Sequence, residues 1–191
     1  CNKDEIEELL FARRRDLFTQ IDLVFFDTTS IYFEGEGGQE VGEYGKPVLL
    51  KRGFAATIRE YLMSAEYVLS RGNRSVVLCE RGIKTFETEL RFTFDVSAVP
   101  VIKANCHLPM IVDPSHTCGS RDFVTPLALA GIAAGADGLI VEVHDDPEQA
   151  LCDGPQALLP EMYTDLVGRV RAVAEALGRG LASAPAEAGR T

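Results

Sequence analysis

At 191 residues and 46% hydrophobic content, with mean hydropathy near zero, the sequence has the size of one domain, or one domain plus an appendage. It can bury a sizeable core, and its longest apolar runs fall well short of a membrane span. A formal net charge of −10 and a pI near 4.8 disfavour non-specific binding to nucleic acid, which needs a basic surface, although a local basic pocket remains open. The chain starts with Cys1, not Met, which hints at a start inside a longer reading frame, and no signal-peptide pattern follows it. Cys1, Cys79, Cys106, Cys118 and Cys152 are odd in number and include no CxxC pair, so a reducing cytoplasm fits better than a disulfide framework.

In chain order, residues 1–45 stand apart. KDEIEELLFARRRDLF is a mixed-charge helical stretch with Ile6, Leu9, Leu10 and Leu17 on a patchy apolar face. IDLVFFDTT is an apolar strand ending at Asp27, and the acidic, Gly-rich segment 34–45 is a loop or linker. From Lys46, four apolar runs recur roughly 30 residues apart with helical patterns between them, the beat of a repeated strand–helix unit. They are PVLLK at 47–51, VVLCER at 76–81, MIVDPSH at 110–116 and LIVEVH at 139–144. Thr57 and Glu60 form a capping box that opens the first helix. Ile58, Tyr61, Leu62, Ala65, Val68 and Leu69 supply its buried stripe, and Gly72 suits its C-terminal cap. The stretch 83–106 predicts a turn and a short helix. After DPSHTCGSRDF, the almost wholly apolar run VTPLALAGIAAGA predicts a deeply packed helix. DDPEQALCDGPQAL is a loop, and a last helix starts with Pro160 in its first turn and carries Leu166, Val167, Val170 and Val173. Residues 178–191 form a frayed, small-residue tail. Near-continuous apolar strands alternating with helices argue for an α/β fold with a parallel sheet covered by helices. Four such units occupy 46–177, about half of the roughly 250 residues of a closed eight-stranded barrel.

Chemistry in parallel α/β folds collects at the C-terminal ends of strands, where Lys51, Arg81, His116 and Glu142 fall. His116, Glu142 and Asp153 offer an imidazole and two carboxylates, a set suited to Mn²⁺, Fe²⁺, Zn²⁺ or a similar divalent ion; the plainer alternative is a loop-capping histidine among solvated acids. Cys118, Cys152 and His144 are further candidate ligands. Lys51 and Arg81, each followed closely by a glycine, form a candidate pocket for phosphate or carboxylate, to which Arg52 adds; ordinary ion pairs at the sheet rim are the alternative. Glu80 and Asp113 could orient these cations or the metal ligands. Lys84, Arg91 and Lys103 read as weaker candidates, with a solvated surface position the default for Arg91.

Read together, KPVLLKRG, VVLCERGIKTFET, DVSAVPVIK, LPMIVDPSH and ADGLIVEVHDDPEQALCDGPQAL resemble the C-terminal half of 3-deoxy-D-arabino-heptulosonate 7-phosphate (DAHP) synthase, in the branch related to 3-deoxy-octulosonate 8-phosphate synthase. The resemblance runs from Lys46 to about Val173. It implies strands five to eight of a (β/α)₈ barrel and a transferase of the shikimate pathway. The implied reaction is a divalent-metal-dependent, aldol-type condensation of phosphoenolpyruvate with erythrose 4-phosphate. It also implies that Lys51 and Arg81 bind phosphoenolpyruvate, with Arg52 beside them. His116, Glu142 and Asp153 match three of four metal ligands, so Lys51, Arg81 and His116 would carry catalysis.

Departures accompany this likeness. The family's GPCS motif, which supplies a Cys ligand, its KPRTS-type phosphate loop and the GARN arginine have no counterpart here. Residues 6–45 instead resemble a piece of an insertion-sequence DDE transposase, with Asp27 matching its first catalytic aspartate and no counterpart of the other two acids; the join lies near 44–46. A genomic rearrangement or an assembly artefact would account for it. The expectation is therefore a DAHP synthase, impaired as a fragment. Its alternatives are an inactive half-barrel relic or a synthase using arabinose 5-phosphate, and last a transposase fragment. Two chains could pair to close the sheet as a homo-oligomer, or IDLVFFD could lie against the Lys51 strand as a surrogate neighbour. No nucleic-acid or membrane partner is expected.

Overall fold

The computed structural model describes residues 47–181 and the main chain of 20–24. The helical stretch at 6–17, Asp27, the 34–45 linker and the tail beyond Leu181 lie outside the described residues. Six strands, β1 (Gln20–Val24), β2 (Val48–Lys51), β3 (Val76–Glu80), β4 (Met110–Val112), β5 (Gly138–Ile140) and β6 (Gly180–Leu181), form one sheet in the order β2-β3-β4-β5-β1-β6. Every pairing is parallel. The helices are α1 (Ile58–Ser70), α2 (Ala98–Asn105), α3 (Pro114–Cys118), α4 (Arg121–Ala133) and α5 (Pro160–Ala176). Two single 3₁₀ turns, Pro147–Gln149 and Gly154–Gln156, punctuate the loop before α5.

Successive strand residues point to opposite faces, and both faces of this sheet are apolar, which is why the strands read as continuous hydrophobic runs. Leu78, Met110, Val112 and Leu139 pack against Tyr61 and Ala65 of α1, Ile102 of α2, Ile132 of α4 and Leu166 of α5 in the main core. Cys79, Ile111 and Ile140 line the other face with Leu49 and Val77. The Thr57–Glu60 capping box opens α1 as its spacing predicts, and Gly72 follows the helix end at φ 89°. Tyr61 ties α1 to the sheet: its buried hydroxyl donates to Leu50 O at 2.6 Å and accepts from Cys79 N at 2.6 Å.

Three features depart from the sequence reading. Residues 114–118 are helical, because Asp113 caps the turn by accepting from His116 N at 3.0 Å and Pro114 starts it with a preset φ. The strand within IDLVFFD is not a neighbour of the Lys51 strand: β1 pairs with β5 and β6, and β2 has β3 as its partner among the described residues. Gly180–Leu181, within the stretch read as a frayed tail, forms a strand: α5 returns the chain so that these two residues run parallel to β1. The β5–α5–β6 crossover skips one position, and β1 fills it.

Tyr61→Phe would leave the Cys79 N–H without its buried acceptor. It should lower unfolding free energy by about 1–3 kcal/mol, read as a shift of the urea midpoint at unchanged slope; an unmoved midpoint would contradict the bridging role.

Candidate functional site

Lys51, the last residue of β2, donates through Nζ to Asp113 Oδ2 at 2.8 Å. Asp113 directly follows β4 and is 1% exposed. The same Oδ2 lies 2.9 Å from His116 Nδ1, close enough for an ion pair but without the alignment of a hydrogen bond. Burial alone would raise the Asp113 carboxyl pKa, but contact with His116 and the Lys51 charge outweigh it and hold the group below its ordinary value. On the far side of the ring, His116 Nε2 lies 3.0 Å from Glu142 Oε1 and 3.9 Å from Asp153 Oδ2. Ligating atoms of His116, Glu142 and Asp153 all fall within 4.8 Å of one another.

Each member of this trio is fixed from behind. Glu142 lies just past β5, and its N–H donates to the hydroxyl of fully buried Ser115 at 3.1 Å. Burial pushes the Glu142 carboxyl pKa up; the nearby Asp153 charge adds to this, against the pull of His116. Asp153 stands at φ 55°, the one positive φ of a non-glycine among the described residues. Gly154 makes that turn possible: a Cβ there would sit 2.1 Å from Pro147 O. Arg121 of α4 donates to Gly154 O at 3.0 Å and clamps the turn against the helix.

Arg81 follows β3 and is 6% exposed, with its guanidinium 4.4 Å from the centre of the Phe92 ring. Its buried Nη1 has no hydrogen-bond partner among the described residues. Gly82, at φ 90°, lets the chain turn beneath it; a Cβ would meet Phe92 Cβ at 2.7 Å. Arg52 is turned elsewhere. Its Nη1 donates to Glu80 Oε2 at 2.9 Å and Asp95 Oδ2 at 2.7 Å, and its Nε to Ala56 O at 3.1 Å. Glu80, fully buried, also accepts from Gly82 N at 2.8 Å, so it orients Arg52 and the turn after Arg81.

The structure thus brings together Lys51, Asp113, His116, Glu142 and Asp153. It separates several other candidates from them. Cys118 donates to the carbonyls of Pro114 and Ser120, each at 3.0 Å, and Cys152 is exposed; neither belongs to the cluster of ligating atoms. His144 interacts with its own loop at Asp145 and Asp146. Lys84 is exposed, and Lys103 pairs with Asp137, which precedes β5 at the opposite strand end. Arg91 is at the site rather than simply solvated, with Nη1 3.2 Å from Gln156 Oε1 and 3.5 Å from Asp153 Oδ1. Ser115 and Gln156 were not anticipated. The signal for Gln156 was its place three residues after Asp153, because residues i and i+3 of a 3₁₀ turn share a side.

An imidazole nitrogen and two carboxylate oxygens are a donor set for a first-row divalent ion. Bonds of about 2.0–2.2 Å place such ligand atoms roughly 3–3.5 Å apart. His116 and Glu142 have that separation, and Asp153 lies farther from the ring at 3.9 Å.

Residues 37–175 match the family model described as the DAHP synthetase I family. The chain belongs to this family. The match begins before Lys46, within the segment read from sequence as a linker. A phospho-2-dehydro-3-deoxyheptonate aldolase of Thermotoga maritima is 56% identical over 139 residues, covering 73% of this chain and 41% of that protein. A 2-dehydro-3-deoxyphosphooctonate aldolase of Desulfotalea psychrophila is 36% identical over 147 residues, covering 69% of this chain and 51% of the relative. The chain therefore spans about half the length of these curated relatives. Among solved structures, the T. maritima DAHP synthase superposes with a TM-score of 0.74 at 54% identity, over 76% of this chain and 43% of the other. A truncated form of that DAHP synthase gives the same TM-score and identity and is covered to 55%. The parallel α/β sheet of this DAHP synthetase I family member is thus of the TIM-barrel type.

Asp113 has a lowered carboxyl pKa, so the stability it contributes is present above its unfolded value of about 3.9 and lost as pH falls through the folded value. Asp113→Asn keeps a good cap but removes the charge. It should cost about 3 kcal/mol near neutral pH. In urea titrations the gap to wild type should shrink below about pH 4; a gap of equal size on both sides of that window would contradict this linkage.

Proposed function

We propose that this chain is the phosphoenolpyruvate- and metal-holding part of a DAHP synthase, which condenses phosphoenolpyruvate with erythrose 4-phosphate. In this reading β2–β5 correspond to strands five to eight of a (β/α)₈ barrel, residues 46–177 form that half barrel, and residues 1–45 are an N-terminal segment of other origin whose strand β1 joins its sheet. The observation that carries the proposal is the joining of a strand-end cation to a three-ligand cluster through Asp113, which touches both Lys51 and His116, with Arg81 following the strand between β2 and β4.

Lys51 and Arg81 would hold the phosphate and carboxylate of phosphoenolpyruvate. Arg81 suits this because a buried guanidinium nitrogen without a partner is costly until an anion meets it. Arg52, committed to Glu80 and Asp95, would contribute by shaping the backbone around Lys51. His116, Glu142 and Asp153 would hold the divalent ion. When bound, that ion supplies Lewis acidity towards the aldehyde carbonyl. Carbon–carbon bond formation joins phosphoenolpyruvate C3 to the aldehyde carbon, water adds at C2, and the phosphate leaves with the bridging oxygen. Throughout, Lys51 and Arg81 compensate the negative charge on the phosphate and carboxylate.

Arabinose 5-phosphate is the second candidate aldehyde. The higher identity to the heptonate aldolase favours erythrose 4-phosphate. Among the described residues the outer edge of β2 has no strand partner, which supports association with a further copy, since an unpaired parallel edge seeks a partner; sedimentation of a folded monomer at all concentrations would remove that part of the proposal.

The test is phosphate release from phosphoenolpyruvate with either aldose phosphate and Mn²⁺, alongside calorimetric titration of Mn²⁺. Turnover with erythrose 4-phosphate, abolished by His116→Ala and by Arg81→Ala, is the expected outcome. Binding without turnover would leave an inactive half barrel. Neither binding nor turnover would overturn the proposal, and wild-type rates in either variant would overturn the assigned roles.

A further inference from the structure

Gln156 is 3% exposed and both ends of its amide are committed. Nε2 donates to Glu142 Oε1 at 3.2 Å, and Oε1 accepts from Arg91 Nη1 at 3.2 Å. That Arg91 nitrogen is also 3.5 Å from Asp153 Oδ1. An amide has one donor end and one acceptor end. Here the donor end meets an anion and the acceptor end a cation, so charge on both sides fixes its orientation. Arg91 is steadied in turn by the Phe92 ring, 5.7 Å from its guanidinium, the ring that also carries Arg81.

Glu142 and Asp153 need such a device. Their main chains are set by Ser115 and by the Gly154 turn, but their side chains keep torsional freedom and repel one another as like charges. A neutral amide can hold one carboxylate without adding to the repulsion or competing as a cation. We propose that Gln156 is a positioning residue: it holds Glu142 directly, and Asp153 through Arg91, in the arrangement that takes up a divalent cation. This sets the affinity of the cluster for the ion. The proposal rests on the metal reading of His116, Glu142 and Asp153.

The test titrates the full chain with Mn²⁺ by calorimetry and follows free Mn²⁺ by electron paramagnetic resonance, well below the melting temperature of each metal-free variant. Gln156→Leu keeps the volume and removes both hydrogen bonds. Its Kd for Mn²⁺ should rise about 10- to 100-fold, the usual effect of losing an outer partner of a metal ligand. Arg91→Met, at a side chain 46% exposed, leaves the Gln156–Glu142 bond in place and should give a smaller rise. A merely structural role would lower the melting temperature and leave Kd unchanged. If Gln156→Leu does not fold, Arg91→Met decides the matter, and an unchanged Kd there overturns the proposal. His116→Ala separates the two levels of inference. Loss of Mn²⁺ binding in His116→Ala with wild-type affinity in Gln156→Leu would overturn the Gln156 role alone. Equal Mn²⁺ affinity in wild type and His116→Ala would overturn the metal reading and this proposal together.

Discussion

A carboxylate stripped of nearly all its water has to be surrounded by donors, and Asp113 is. One of its oxygens meets Lys51 from β2 and the ring of His116, while the other caps the helix that carries His116. The end of β4 therefore joins a cation on one strand to a candidate ligand on the next turn of chain. Without that charge, Lys51 would lie partly buried beside a histidine with nothing negative between them. Most of the geometry of the site follows from satisfying this one group.

The parallel sheet supplies the other half of the arrangement. Strands in register end at the same level, so β2, β3, β4 and β5 deliver Lys51, Arg81, Asp113 and Glu142 to one rim. The charges at the rim sort by side-chain direction. Lys51 and Arg52 are consecutive, and consecutive residues along an extended chain point to opposite sides. Lys51 turns to Asp113, and Arg52 turns to Glu80 and Asp95. Burial would disfavour the Arg52 charge, but the hydrogen bonds to Asp95 and Glu80 outweigh it and its pKa is raised. Burial in turn raises the pKa of Glu80, offset by the Arg52 contact and the Gly82 N–H.

Local pattern made much of this legible. Four apolar runs, a capping box and a Pro-started last helix were readable because each depends on residues a few positions apart, and the strand ends pointed to the cluster that His116, Glu142 and Asp153 form. What escaped the reading is non-local. No periodicity says that β1 sits beside β5 rather than β2, since sheet order depends on which gap a crossover leaves. The helix at 114–118 was hidden because its cap, Asp113, was noticed as a charge and not as a hydrogen-bond acceptor. Gln156 carries no charge and stands out in no local pattern; only the folded loop brings its amide to Glu142.

The left-handed turn at Asp153 has a further consequence. An L-residue with a Cβ held there gives up about 1 kcal/mol relative to glycine. Asparagine and glycine would sit more comfortably, yet neither brings the negative oxygen that faces His116. Selection in the laboratory for heat resistance alone would drift this codon towards Asn or Gly, and the winners would be sturdier proteins without the carboxylate that faces His116. Under the metal reading proposed above, position 153 is where thermal robustness and ion affinity would be set against each other in this chain.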